Sequence, residues 1–204
     1  MTELEKIIKG CKQKDIKYQK MLFNLYAGKM KYVCLRYLSS NEDAEDAVQE
    51  GFIKVFSSID TYEARGVFDG WIRKIFVNIA LMALREKKKK NENSPMSTIH
   101  EDLYADEDHQ MEEEIDHTEI NPDKIDFNVI LKADFSQEEL LSCVSSLDEI
   151  FRVIFNLYFI DKFKHAEIAS MLQIDENTSR TRLLRARKKI QAELYKRSIK
   201  KVSQ

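Results

Sequence analysis

The chain has 204 residues, with 33 lysines and arginines against 35 aspartates and glutamates, and a net charge of −2 at pH 7. The charges are segregated along the chain. Residues 71–90 carry seven basic side chains and one acid, residues 101–126 twelve acids and one lysine, and residues 178–201 ten basic side chains and one acid. Two cationic blocks separated by an anionic one are typical of a nucleic-acid-binding protein with an acidic connector.

The composition also excludes several classes of protein. Two prolines and five glycines leave few turn signals, so an all-α fold is expected. Cys11, Cys34 and Cys143 are isolated, which argues against a disulfide framework or a zinc site. Charged residues interrupt the apolar stretches, and the first residues lack the apolar core of a signal peptide. We therefore expect a cytoplasmic protein without a membrane segment.

Residues 1–90 are predicted to form a first helical domain. One helix carries an apolar stripe and ends near residues 39–40; the stripe comprises Leu22, Leu25, Tyr26, Lys29, Tyr32 and Val33. Ser40 or Asn41 is predicted to cap the next helix, because acidic residues in its first turn suit the helix dipole. The side of that helix expected to face the core comprises Ala44, Val48, Phe52 and Val55.

A loop and a third helix complete this domain. Residues 59–70 hold two of the five glycines and are predicted to form the loop. The helix over residues 71–90 is expected to bury one apolar face, which comprises Ile72, Ile75, Phe76, Ile79 and Met82 or Ala83. Residues 91–134 are polar and acidic with few large apolar side chains, so they are predicted to form a mostly irregular linker.

Residues 135–204 are predicted to form a second domain of four helices. Ser136 and Glu139 have the spacing of a capping box at its start. Farther on, Ile168, Ala169 and Leu172 give one short helix an apolar face, and a turn leads to a second helix rich in arginine and lysine. This pattern predicts a helix-turn-helix, whose second helix can lie in a DNA major groove.

Within that second helix, early residues are expected to reach base edges and later cations to reach phosphates. Leu183, Leu184 and Ile190 are expected to face inward. The candidates for base edges are Asn177, Thr178, Arg180 and Thr181. The candidates for phosphates are Arg182, Arg185, Arg187 and Lys188, although some of these could pack on the domain itself. The alternative, an exposed basic helix that serves only solubility, does not explain the cap and the helix pattern.

The first domain offers a second candidate site, because aromatic residues lie beside cations around residues 62–90. Aromatic faces next to basic groups hold unstacked bases of single-stranded DNA. The members are Tyr62, Arg65, Phe68, Trp71, Arg73, Lys74, Asn78 and Arg85. Two alternatives stay open: Trp71 can be a core residue, and the lysine-rich helix end can be merely solvated.

No pattern of catalytic residues or phosphate-binding glycines is present, and no cofactor or metal is expected. His100, His109 and His117 in the linker are interpreted as solvated side chains. Two functions fit these features: that of a dimeric helix-turn-helix regulator that binds a duplex operator, and that of an adaptor whose acidic stretch binds a basic partner.

Three segments resemble regions of one family. Residues 41–56 (NEDAEDAVQEGFIKVF) resemble sigma region 2.2, residues 68–78 (FDGWIRKIFVN) with Arg85 resemble regions 2.3 and 2.4, and residues 136–195 resemble region 4. Their order and the short chain resemble an extracytoplasmic-function (ECF) sigma factor of the sigma-70 family. The resemblance implies a non-enzymatic subunit that directs RNA polymerase to promoters and aids promoter melting.

The resemblance also implies partners for each part. The helix at residues 41–56 would dock on the largest subunit of core polymerase through Asp43, Asp46, Gln49 and Glu50. Residues 62–90 would capture a flipped base of the −10 element, and region 4 would bind the duplex −35 element. An anti-sigma factor is a further expected partner. The chain departs from the family at Gln173, Asp175 and Asn177, where Gly, Pro and Gly are common, so the promoter sequence cannot be inferred from the resemblance.

Overall fold

The computed structural model describes residues 2–38, 40–63, 67–90 and 125–202, with backbone only for residues 88–90 and 202. Every regular element in this part of the chain is helical, which confirms the all-α prediction. The contacts divide the chain into two units, residues 1–97 and 98–204. The boundaries predicted for the domains and the linker stay predictions.

In the first unit, the part of the chain that the structure describes forms four helices and a short 3₁₀ turn. The helices are α1 (Glu3–Lys12), α2 (Ile16–Leu35), α3 (Asn41–Ser58) and α4 (Phe68–Lys90), and the 3₁₀ turn at Ile59–Thr61 follows α3. Ser40 caps α3, since its hydroxyl accepts hydrogen bonds from the amides of Glu42 and Asp43. The loop is therefore shorter than predicted, because α4 already begins at Phe68.

The core of the first unit lies where α2, α3 and α4 pack on one another. The face predicted for α3 is buried as expected, and Phe52 meets the Phe76 ring edge-on at 5.2 Å. Gly51 allows this close approach, since a Cβ there would lie 2.2 Å from the Phe76 ring. A larger residue at this position would push α3 away from α4.

Two apolar members of the stripe predicted on α2 are exposed, and on α4 the alternative Ala83 is more buried than Met82. Leu25 and Tyr32 are 47% and 74% exposed, because they lie roughly a third of a turn away from the buried side of α2. Met30 and Cys34 occupy that side in their place. On α4, Met82 is 49% exposed, whereas the neighbouring Leu81 and Leu84 are buried.

The described residues of the second unit, 125–202, form five helices and one wider turn. The helices are α5 (Phe127–Lys132), α6 (Gln137–Ser145), α7 (Glu149–Phe155), α8 (His165–Leu172) and α9 (Glu176–Val202), and a π-helical turn at Asn156–Ile160 continues α7. The capping box of α6 is present as predicted, with Ser136 and Glu139 bonded reciprocally. Helix α5 falls inside the predicted linker, yet it packs against α9.

The long helix α9 organises the second unit. Its middle packs on α7, where the buried cluster consists of Leu147, Ile150, Phe151 and Ala186. Its end is tied to the start of α6, because the Lys201 ammonium bonds the Glu139 carboxylate at 2.8 Å and the Asp134 carbonyl. On α6, Leu140 and Leu141 are 44% and 51% exposed. Cys143 of α6 is buried, and so is Leu147, which follows the end of that helix.

Candidate nucleic-acid interfaces

Helices α8 and α9 form the predicted helix-turn-helix. Ile168, Ala169 and Leu172 are buried on α8, as the sequence predicted. The turn at Gln173 adopts the left-handed conformation, with φ 57°, and the Ile174 amide bonds the Ala169 carbonyl across it. Glycine adopts this conformation without steric cost. Gln173 therefore forms the turn at a steric cost that glycine would not have.

Asp175 caps α9 and fixes its first turn. One carboxylate oxygen accepts hydrogen bonds from the amides of Asn177 (2.5 Å) and Thr178 (2.9 Å). The other oxygen accepts the Thr178 hydroxyl at 3.0 Å. Thr178 is consequently only 3% exposed and lies inside the cap. Of the four candidates for base edges, Asn177 and Arg180 are exposed, Thr181 is half-buried and Thr178 faces the interior.

The four candidates for phosphate contacts also divide by burial. Arg187 and Lys188 are exposed and Arg185 is half-buried, but Arg182 is only 6% exposed. Arg182 lies nearly half a turn from Arg180, on the side of α9 that packs on the unit, which agrees with the alternative that some of these cations pack on the domain itself. Two turns farther along α9, Lys189 forms an ion pair with Asp148 at 3.4 Å, which uses a further cation within the unit.

Two residues missed in the sequence lie on the exposed side of α9. Glu176 pairs with Arg180 across one helical turn. Leu184, predicted to face inward, is 53% exposed and follows Arg180 by a further turn. The four-residue spacing alone was the available signal, since residues four apart share a helix face. We call Glu176, Arg180, Leu184 and Arg187 the outer row of α9.

A histidine links the two helices of the motif. The Nδ1 of His165 lies 2.9 Å from the hydroxyl of Ser179, which is fully buried on α9. The imidazole also stacks on Tyr158 with centroids 4.7 Å apart. Burial, followed by the nearby Arg180 guanidinium, lowers the pKa of His165 below 6.5. The neutral imidazole is therefore favoured, and it helps to hold α9 on α8.

In the first unit, aromatic rings gather where α4 begins. Phe68 is buried and meets the rings of Tyr26, Tyr62 and Trp71, with centroids 5.5, 5.1 and 5.5 Å away. The Tyr26 hydroxyl donates to Asp69 at 3.0 Å, and burial followed by this bond raises the Tyr26 pKa. Phe68 is thus a core residue, which corrects its expected contact with DNA.

The other candidates for the −10 element lie around this cluster. Tyr62 and Trp71 are half-buried with ring centroids 5.5 Å apart, so each is partly packed and partly open to solvent. The Lys12 ammonium bonds the Tyr62 carbonyl at 2.8 Å, which ties α1 to this loop. Arg65 lies outside the described residues. Lys74 is exposed, and the half-buried candidates on α4 are Arg73, Asn78 and Arg85.

The acidic side of α3 carries the candidates for polymerase contact. Asp46, Gln49 and Glu50 are exposed. Asp43 is half-buried and pairs with Lys87 of α4, and the neighbouring Glu45 pairs with Lys31 of α2 at 2.7 Å. The outer side of α3 is therefore polar and accessible at its centre, while ion pairs hold its first turns to the neighbouring helices.

Among the described residues, no group of three or more His, Cys, Asp or Glu side chains could hold a metal ion. The linker histidines lie outside that part of the chain. The three cysteines are buried, and burial raises the pKa of Cys11 to about 11 and that of Cys34 to about 12. None of the helices described here is both long enough and apolar enough to cross a membrane.

This geometry defines a helical protein with a duplex-binding motif in one unit and an aromatic–basic surface in the other. The family model for sigma-70 region 2 matches residues 22–90, and the model for sigma-70 region 4 matches residues 137–190. Together they match more than half of the chain, in the same order as the resembling segments of the sequence.

Relatives along nearly the whole chain agree. The chain is 26% identical over 191 residues to the ECF RNA polymerase sigma factor SigW of Bacillus subtilis, a match covering 94% of this chain and 96% of the relative. It is 28% identical over 187 residues to the ECF RNA polymerase sigma-E factor of Escherichia coli K12, covering 92% and 90%. The sigma factor RpoE of Bartonella quintana, solved in complex with the anti-sigma factor NepR, has a similar fold (TM-score 0.51, 18% identity, 89% and 98% covered).

The chain belongs to the sigma-70 family, within its ECF group. It is a promoter-directing subunit of RNA polymerase, and its partners are core polymerase and promoter DNA. Sigma factors are transcription initiation factors rather than catalysts. A duplex-operator regulator is not favoured, because it would leave the region 2 match at residues 22–90 without a role.

Proposed function

We propose that this sigma factor grips promoter DNA at two points, with single-stranded −10 DNA on the first unit and duplex −35 DNA on the second. The observation that carries this proposal is the outer row of α9. Its exposed cations lie on one side of a helix that a capped turn holds against α8. A cationic, sterically open helix face is what a major groove accepts.

On the −35 element, Asn177, Arg180 and Thr181 would contact base edges. These residues lie near the start of α9, the part of a recognition helix that usually enters the groove first. Arg185, Arg187 and Lys188 follow one to two turns later and would contact phosphates. Such contacts fix the register of the helix without reading sequence.

On the −10 element, Trp71 and Tyr62 would stack on an unpaired base. Both rings rest on buried Phe68, so their position is set before DNA arrives. A rigid aromatic platform loses little conformational freedom on binding. The polar and basic residues that would hold the backbone of the melted strand beside this platform are Arg65, Arg73, Lys74, Asn78 and Arg85.

Core polymerase would dock on the outer side of α3. Asp46, Gln49 and Glu50 are exposed there and present carboxylates and an amide to a basic or polar partner. Asp43 would join them at the edge, where Lys87 now neutralises it. The proposal includes no catalytic step for this chain, no cofactor, and action in the cytoplasm with polymerase. An anti-sigma factor would compete for the exposed surfaces, as the complex of the Bartonella relative suggests.

The test is transcription in vitro with sigma-free core polymerase and the full chain, on fragments of the source genome. We expect transcripts that begin at defined sites only when the chain is present. The triple substitution Asp46→Lys, Gln49→Ala, Glu50→Lys should abolish them together with co-purification of core polymerase. Duplex binding by the chain alone, with no effect on transcription from any fragment, would instead identify an operator-binding regulator.

A further inference from the structure

The outer row of α9 contains one acid among its cations. Glu176 and Arg180 form an ion pair on the exposed side of the helix start, with 42% and 55% of their side chains exposed. The Asn177 amide oxygen accepts a second hydrogen bond from the Arg180 guanidinium at 3.3 Å. Two neighbours thus hold the guanidinium in one orientation.

An acid here is unexpected if α9 only needs affinity for DNA. A carboxylate near phosphates repels them, and it also neutralises a cation that could otherwise contribute to binding. The Glu176 carboxylate interacts favourably with the dipole of α9, but Asp175 already caps this helix. The pair is better explained by recognition of bases.

We infer that the Glu176–Arg180 pair reads one G·C base pair of the −35 element from the major groove. An arginine has five N–H donors, so three remain after the bonds to Glu176 and Asn177, enough to donate to guanine O6 and N7. A carboxylate has about four acceptor sites, so Glu176 can also accept the amino group of the paired cytosine. An A·T pair also presents two acceptors and one donor, but there the donor lies between the acceptors, so the pair of side chains does not match it.

The same row continues to Leu184, which adds an apolar contact. Leu184 lies four residues beyond Arg180, about 6 Å along the helix, which corresponds to about two base-pair steps. An exposed apolar side chain between Arg180 and Arg187 can contact the methyl group of thymine, the one apolar feature of the major groove. The outer row therefore specifies a G·C pair and, about two steps away, a thymine.

This inference rests on the proposed function, and its test separates the two. Polymerase holoenzyme containing the full chain is used to transcribe a promoter library randomised over the −35 element, and the transcribed templates are sequenced. The variants are Glu176→Ala, Glu176→Gln, Arg180→Ala and Leu184→Ala. Lys196→Ala, an exposed site farther along α9, is the matched control. Thermal unfolding of each variant, followed by circular dichroism, checks its fold.

The wild-type chain and the control should select one G·C pair about two steps from a thymine. Glu176→Ala and Arg180→Ala should each reduce the preference for that pair about 5-fold or more. Glu176→Gln should move the preference toward adenine, because glutamine bonds adenine N6 and N7. Leu184→Ala should lower only the preference for thymine.

If the wild type selects a −35 sequence and both Glu176 variants select the same one, the inference is overturned. The proposed function stays intact in that case. Transcription without any −35 preference in the wild type would instead overturn the proposed role of α9. A general loss of stability cannot imitate a change from guanine–cytosine to adenine, so Glu176→Gln separates a recognition role from a structural one.

Discussion

The two units use their nucleic-acid residues differently. In the first unit, the candidates for base capture are also packing residues, since Tyr62 and Trp71 rest on buried Phe68. In the second unit, the exposed row of α9 and the buried Ala186, which packs on α7, lie on different sides of the helix, so contact with DNA and folding use different residues. A rigid platform suits the capture of one unpaired base, whereas an open helix face suits a duplex groove.

The largest expected effect tests the packing half of this comparison. Phe68→Ala should lower the free energy of unfolding of the first unit by about 3–5 kcal/mol, because it leaves a cavity under three aromatic rings. Urea denaturation monitored by Trp71 fluorescence measures the change. The neighbouring Val67 is 77% exposed, and Val67→Ala should change the free energy by less than about 0.5 kcal/mol.

Trp71→Ala should weaken strand opening by about 1–3 kcal/mol, the value of one base stacked on an aromatic ring. Permanganate reactivity of −10 thymines in holoenzyme complexes measures opening, and co-purification measures core binding, which should be unchanged. Trp71→Phe should restore part of the opening. If Trp71→Ala lost both its binding to core polymerase and its folded structure, Trp71 would be only a residue of the hydrophobic core.

Arg187→Ala should affect DNA binding without affecting folding. Removing one phosphate contact should reduce the slope of log K against log salt by about 0.9 for duplex −35 DNA. Titration of holoenzyme with a labelled duplex at several salt concentrations measures the slope. The companion Arg182→Ala should destabilise the second unit instead, because Arg182 is buried. If Arg182→Ala reduced the salt slope and Arg187→Ala left it unchanged, the two assignments would be reversed.

Gln173→Gly should raise the free energy of unfolding of the second unit by about 0.5–1 kcal/mol. Glycine removes the steric cost of the left-handed turn, which exceeds the entropy it adds to the unfolded chain. The same replacement at Gln191, inside α9, should lower stability by about 0.5–1 kcal/mol. Thermal unfolding of both variants measures the contrast, and equal signs would contradict the role given to the turn.

The smallest expected effect is a dependence of stability on pH through His165. Its pKa is lower in the folded chain than in the unfolded one, so the unfolded state takes up a proton first as the pH falls. The stability contribution is therefore complete above pH 6.5 and decreases as the pH falls from 6.5 toward the folded pKa. Unfolding midpoints at pH 7.5 and 5.5 should differ less in His165→Gln than in the wild type.

The amino-acid sequence by itself determined the helical class, the core side of α3, the capping box of α6 and the helix-turn-helix. Each of these depends on neighbours within one or two helical turns, and residue spacing reports such local interactions directly. Sequence also located the cationic blocks and the aromatic residues near Trp71. It could not separate side chains that face DNA from those that face the core.

That separation was decided by tertiary packing. Phe68, Thr178 and Arg182 have types that suit DNA contact, yet each is buried, because a neighbouring helix or cap occupies the space around it. Leu184 is an apolar residue of the kind found in cores, yet it is exposed. The side of α9 that packs on the unit carries Leu183 and Ala186 instead. Residue spacing fixes where each side chain lies around its own helix. Only the elements that pack on the helix decide which of its sides faces water.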